Sequence, residues 1–180
     1  MPALASVAVT LYGAASSSTT PSSYNEASNT WTALASIPGA NGIRYLLSLN
    51  DMLVAVTSAG ACYEYLLGTD SWTPFAPLTL PASNEVKSAT AFGGKLYLAY
   101  GNTYTYSGQA NNLVSYTPET SALSTPIELP MATFGIQLLA HQGKLLIWGT
   151  PEMPHPGVRL CLKLERSGVS RLPVRYCATV

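Results

Sequence analysis

Apolar and polar positions alternate in short runs along the chain, and no long stretch repeats its apolar residues at helical spacing. Runs of this length, bounded by Gly, Asn, Ser and Pro, read as strands, so an all-β chain is expected. Three pairs of runs flank tight-turn signals. Tyr45 to Leu49 and Leu53 to Val56 flank Asn50-Asp51, Ala89 to Phe92 and Leu96 to Tyr100 flank Gly93-Gly94, and Ile136 to Ala140 and Leu145 to Trp148 flank Gln142-Gly143. Each pair predicts a buried hairpin.

The hairpins belong to a longer repeat. Tyr24 precedes Trp31 by seven residues, Tyr65 precedes Trp72 by seven and Tyr116 precedes Leu123 by seven, each pair bracketing a polar turn. From each second member the chain runs on to a proline: Trp31 to Pro38, Trp72 to Pro81 and Leu123 to Pro130. After each hairpin comes a third, alternating strand (Cys62 to Leu66, Leu113 to Tyr116, Arg159 to Leu164), then a fourth that begins at the Trp or its substitute. A four-stranded antiparallel unit recurring every ~40–50 residues is the mark of a propeller blade, which buries its faces only by stacking on its neighbours.

Composition narrows the function. Nine basic and nine acidic residues in 180 leave no field to attract nucleic acid or an anionic membrane, so neither partner is expected. No apolar run is long enough for a spanning helix, which predicts no membrane insertion. Three cysteines, Cys62, Cys161 and Cys177, stand without a C-x-x-C pair and suggest reduced thiols in a cytoplasmic protein. The alternative is a secreted protein, if residues 1–15 form a signal peptide; no Lys or Arg precedes their apolar run.

Tyr65-Leu66-Leu67-Gly68-Thr69-Asp70-Ser71-Trp72 and Gly94-Lys95-Leu96-Tyr97-Leu98-Ala99-Tyr100-Gly101 resemble kelch repeats, and the resemblance extends over nearly the whole chain. It departs at the Gly-Gly doublet after the second strand, where only Gly13, Gly101 and Gly149 stand, with Thr57-Ser58 in the remaining copy. The resemblance implies one kelch-type β-propeller domain over 1–180, of about four blades: roughly 1–38 plus 173–180, 39–81, 82–130 and 131–172. Ala5 to Tyr12 reads as one strand, so the first copy lacks an innermost strand, and residues 172–180 are expected to supply it and close the ring. A fragment of a larger propeller is the competing reading. Trp31 and Trp72 are expected between blades, and Trp148 in the core.

Tight turns are expected on one face and irregular loops on the other: Ala14 to Ser22, Asn102 to Asn112 with Tyr104 and Tyr106, and Pro151 to Gly157 with Met153 and His155. Arg44 and Lys87, each six before its turn, reach the loop face at equivalent places, and Arg175 stands at about that place in the last strand. Kelch adaptors that this chain resembles use basic residues there to hold acidic or phosphorylated peptides, which suits a guanidinium. Tyr45, Gln137 and Tyr176 lie nearby.

Enzyme classes fit poorly. Copper radical oxidases of the same superfamily need a His and Tyr cluster, whereas His141 and His155 fall on opposite faces. No nucleophile elbow, phosphate loop or H-E-x-x-H is present, and sialidase-like propellers need an arginine cluster with acids. A non-catalytic module with no cofactor is therefore expected, binding a protein or peptide ligand with an acidic motif. The resemblance implies a substrate receptor of the kind joined to BTB domains in cullin ubiquitin ligases. A cytoskeletal or cell-surface scaffold is the alternative, or a glycan-binding propeller if the chain is secreted.

Overall fold

The computed structural model describes the backbone of residues 2–39, 42–76, 79–102, 110–151, 158–165 and 175–178, and their side chains apart from 76, 130–134 and those from 150 onward. The chain is all-β. Strands β1 (Ala3–Val7), β2 (Thr10–Ala14), β3 (Ser22–Asn25) and β4 (Thr30–Ala33) form one four-stranded sheet in that order, and β5 (Ile43–Leu49), β6 (Met52–Thr57), β7 (Cys62–Leu66) and β8 (Ser71–Ala76) form a second. The remaining strands are β9 (Asn84–Phe92), β10 (Lys95–Asn102), β11 (Ala110–Thr117), β12 (Ala122–Leu123), β13 (Ile127–His141), β14 (Lys144–Pro151), β15 (Val158–Glu165) and β16 (Arg175–Ala178). They join in the order β16-β15-β14-β13-β11-β10-β9, with β12 also on β11. All pairings are antiparallel. Among the described residues the one helical turn is Pro118–Thr120, and no helix is long and apolar enough to cross a membrane.

Tertiary contacts divide the chain into two compact units, Met1–Leu80 and Pro81–Val180. The three expected hairpin turns form as two-residue loops, closing Leu49 on Met52, Phe92 on Lys95 and His141 on Lys144. Both central residues take positive φ in each (Asn50 and Asp51, Gly93 and Gly94, Gln142 and Gly143), the pattern of a type I′ turn. Tyr24 pairs with Trp31, Tyr65 with Trp72 and Tyr116 with Leu123 in the register, so the seven-residue spacing marks the same cross-strand pair three times.

In the first unit Ala3, Tyr12 and Ala14 of the first sheet and Ile37 of the link that follows it pack with Ile43, Leu46, Leu53, Ala55, Tyr65 and Trp72 of the second, and β1 lies against β5. Val54 and Val56 project from the other side of β6 and are also fully buried. In the second unit Ala99, Ala110, Leu113 and Leu129 pack against Ile136, Leu138, Leu145 and Ile147, and the Leu138 N–H donates to the buried Ser88 Oγ at 2.9 Å. Pro74 sits in β8, an edge strand, the place in a sheet where proline is best tolerated.

Two expectations are corrected. Ala5 to Tyr12 is not one strand: Val7 pairs with Thr10 across Ala8 and Val9, so the first sheet has its own innermost strand. Residues 175–178 do not complete that sheet; β16 pairs with β15, with Leu160 opposite Tyr176 and Cys161 opposite Arg175. Once β1 exists, the first sheet has four strands and the last segment takes the outer place in its own set.

The second unit also contains a strand that changes partners. Residues 127–133 of β13 pair with β11, and residues 137–141 pair with β14. The register shifts between Phe134 and Gln137, where Gly135 takes φ +57°. A bulge at a left-handed glycine bends a strand, and this bend joins two four-stranded sets into one eight-stranded sheet.

Candidate functional site

Within the first unit, tight turns and longer loops sort to opposite ends of the strands. The turns are 8–9 and 50–51 between first and second strands, and 26–29 and 67–70 between third and fourth. The other end carries the loop 15–21, the loop 58–61 and the link from β4 to β5. Backbone bonds fasten this end: Ile37 N–H donates to Thr19 O at 2.8 Å, Leu34 N–H to Pro21 O at 2.9 Å and Ile43 N–H to Ser18 O at 2.8 Å. Ser18 Oγ accepts from Thr20 N–H at 3.0 Å, and Thr20 Oγ1 and Ser36 Oγ share a hydrogen bond of 2.6 Å. Gly42 lies so close to this loop that a Cβ there would fall 2.2 Å from Ser17 O. The polar Ser16–Thr20 stretch is thus held in place beside the start of β5.

Arg44 stands at that start. Ile43 pairs with Thr57 and Tyr45 with Val56, so Arg44 is the extra residue of a β-bulge, and it is exposed. Lys87 is its counterpart: Val86 pairs with Tyr100 and Ser88 with Ala99, leaving Lys87 at a bulge of β9. The two surroundings differ. The Lys87 side chain is 4% exposed and pairs with Glu85, so it does not stand as an open cation. Tyr45 is half-buried and Gln137 is exposed on β13, opposite Trp148. Arg175 and Tyr176 have described backbone in β16 but no described side chains, and Tyr104, Tyr106 and His155 lie outside the described residues.

The tight-turn end of the second sheet carries a feature that sequence spacing signals without revealing its use. Tyr65 OH donates to Asp70 Oδ1 at 2.8 Å, and the same oxygen accepts the Ala35 N–H at 2.8 Å. Trp72 Nε1–H donates to the Ala35 carbonyl at 2.9 Å. Side chains of the second sheet thereby satisfy both backbone groups of a residue that follows the first. The bond from Ala35 and then that from Tyr65 hold the Asp70 carboxyl below its ordinary range. Burial, with Asp70's bond and charge added, pushes the Tyr65 phenol up to about 12. Asp70 takes φ +44°, which Asp tolerates better than most residues.

The first sheet repeats the arrangement without the partner. Tyr24 OH donates to Asn29 Oδ1 at 2.8 Å, and the Tyr24–Trp31 rings stand 5.1 Å apart at 44°, against 5.0 Å and 45° for Tyr65–Trp72. Trp72 is buried, whereas Trp31 is half-exposed, contrary to the expectation that both pack between sheets. Trp148, expected in the core, is also partly exposed.

Chemically reactive groups are few. Cys62 is buried, its Sγ–H directed at Gly60 O at 3.3 Å, and burial pushes the thiol up to about 12. Such a thiol stays protonated and unreactive. Among the described residues no three His, Cys, Asp or Glu are grouped to hold a metal.

Solved structures share the fold. The structure of YjhT matches 99% of this chain and 64% of its own at a TM-score of 0.67 and 19% identity. The crystal structure of the computationally designed Ika4 protein matches 82% of this chain and 83% of its own at a TM-score of 0.56 and 10% identity. The chain thus spans just under two thirds of the YjhT length, and at these identities the likeness is one of fold. No protein-family model matches the chain, and no curated protein matches it.

Proposed function

We propose that the four sets of strands are blades of a kelch-type propeller, and that the chain is a non-catalytic module taking an acidic protein or peptide segment at its loop end. The observation that carries this reading is Arg44: a guanidinium exposed at a β-bulge, beside a polar loop fastened by backbone bonds, in a chain with few charges. A planar guanidinium pairs with carboxylate or phosphate through two parallel bonds, and a bulge fixes its origin more firmly than a loop does. The Lys87 side chain is 4% exposed whereas Arg44 is exposed, so the weight falls on Arg44 by its accessibility. The fuller form of the reading is a substrate receptor, which joined to a BTB domain would serve a cullin ubiquitin ligase.

A peptide array of acidic and phosphorylated segments tests the reading. The parent should retain a subset that Arg44→Ala binds roughly tenfold more weakly, with Arg44→Lys between them, because an ammonium keeps the charge but not the paired geometry. Equal retention by parent and Arg44→Ala overturns it.

A further inference from the structure

If Arg44 holds an acidic segment as proposed above, the site carries its own competitor. We propose that Ser17 is a phosphorylation site whose phosphate takes the Arg44 guanidinium and shuts that segment out, a regulation that rests on the reading of Arg44 just given.

The hydroxyls of residues 16–20 are not alike. Ser18 Oγ donates to the Thr20 carbonyl and accepts the Thr20 N–H, both at 3.0 Å, and Thr20 Oγ1 shares a bond of 2.6 Å with Ser36 Oγ. Those two hydroxyls hold the loop to its shape. Ser16 and Ser17 are exposed, and among the described residues their side chains have no hydrogen-bond partner. Ser17 is also the one pinned beside the start of β5: a Cβ at Gly42 would fall 2.5 Å from Ser17 Cα, and the next amide, Ile43 N–H, donates to Ser18 O at 2.8 Å. From Gly42 to Arg44 is two residues, at most about 7 Å along the chain. An arginine and a phosphoserine span such a gap between them.

Charge favours the same pairing. Arg44 is the one Lys or Arg in residues 1–80. The acids of that stretch are Glu26, Asp51 and Asp70 in the tight turns and Glu64 within β7, so the loops 15–21 and 58–61 and the link 34–42 contain no carboxylate to repel a phosphate. A phosphoserine brings a charge of about −1.5 to −2 and three acceptor oxygens, two of which a guanidinium takes through parallel bonds. Because it is tethered, its effective concentration at Arg44 is on the order of millimolar, which a free segment has to outcompete.

The step needs a protein kinase and a nucleoside triphosphate. Ser17 Oγ attacks the γ-phosphorus, the bond from that phosphorus to its bridging oxygen breaks and the nucleoside diphosphate leaves, while the hydroxyl proton passes to the kinase's aspartate.

The full chain, incubated with ATP and a panel of purified serine/threonine kinases, should take up phosphate that peptide mass spectrometry places on Ser17. Ser17→Gly, which suits the φ of +61° there, should lose that label. Phosphorus NMR then reads the pairing without any peptide. An opposite charge nearby favours the doubly charged phosphate, so the phosphoserine's second pKa should lie about half a unit or more lower in the parent than in Arg44→Ala. On the peptide array, the phosphorylated chain should retain acidic segments roughly tenfold more weakly than the unphosphorylated parent. No label at Ser17, equal pKa values with and without Arg44, or undiminished peptide retention each overturns the proposal. An unphosphorylated parent that retains no acidic segment overturns the reading of Arg44 and the competition with it, and the pKa difference then reports separately on the pairing.

Discussion

The first two sheets carry the same device in different surroundings. Tyr24, Asn29 and Trp31 reproduce the spacing and ring geometry of Tyr65, Asp70 and Trp72, yet one set faces solvent and the other grips the backbone of Ala35. Local sequence therefore builds the device in both places, and only a neighbouring sheet gives it something to hold. The largest expected effect tests that contrast. Trp72→Ala should destabilise the chain by about 3–5 kcal/mol, since it empties a buried indole site and leaves the Ala35 carbonyl without its donor. Trp31→Ala, at a half-exposed position, should cost about 1 kcal/mol or less in urea titrations. Equal costs would mean that the exposed tryptophan is structurally engaged after all.

Much of this contrast was legible in residue order. The seven-residue Tyr–Trp spacing appears because a four-residue turn places those rings in direct cross-strand register, and Asn50-Asp51, Gly93-Gly94 and Gln142-Gly143 announce their turns through residues that tolerate positive φ. Ala8-Val9 announces nothing. Ala8 takes φ +50° without glycine or asparagine, so the run from Ala5 to Tyr12 reads as unbroken and the first sheet appears to lack a strand. Pro130 misleads in the opposite direction: it suggests that a strand ends, whereas β13 runs through it to Gly135 and changes partner there. At the candidate site, the equivalence of Arg44 and Lys87 follows from their spacing to the turns. Their difference is one of burial, the Lys87 side chain being 4% exposed beside Glu85 and Arg44 open to solvent, which spacing alone does not weigh.

The joint between the two sheets offers the next test. A Cβ at Gly42 would meet the Ser17 carbonyl and Cα, backbone atoms that cannot rotate aside, whereas a Cβ at Gly68 in the second sheet's outer turn meets nothing within 4 Å. Gly42→Ala should therefore cost about 1–3 kcal/mol, and Gly68→Ala should be neutral within about 0.5 kcal/mol. Hydrogen exchange localises the damage. The amides of Ile37 and Ile43, which bond Thr19 and Ser18, should lose protection in Gly42→Ala alone. Unchanged protection would show that the loop is not held through this approach.

The inner turns of the two sheets set up a smaller effect of opposite sign. Ala8 and Asn50 occupy the same turn position at φ +50° and +49°, and a left-handed alanine costs about 1 kcal/mol more than an asparagine. Ala8→Asn should raise stability by up to about 1 kcal/mol, and Asn50→Ala should lower it by a similar amount, both read as melting-temperature shifts. Matching signs would contradict the equivalence of the two turns.

The smallest effect isolates the charge in the clamp. Asp70's carboxyl is depressed by the Ala35 N–H and the Tyr65 hydroxyl, so the folded chain binds this proton less readily than the unfolded chain. Its stabilisation is complete above the ordinary aspartate pKa and is lost as pH falls through that value, below about 4, and on through the lower folded one. Asp70→Asn keeps an oxygen for both donors and the tolerance for positive φ, but it does not titrate. The parent's melting temperature should thus fall more steeply than the variant's on acidification, with no divergence near neutrality beyond a constant offset. Asn29→Asp adds a carboxylate that meets the Tyr24 hydroxyl without a counterpart of Ala35, so its acid dependence should steepen less than Asp70→Asn flattens it. If Asp70→Asn keeps the parent's acid slope, the clamp works through neutral hydrogen bonding, and the aspartate and asparagine of the two sheets are interchangeable.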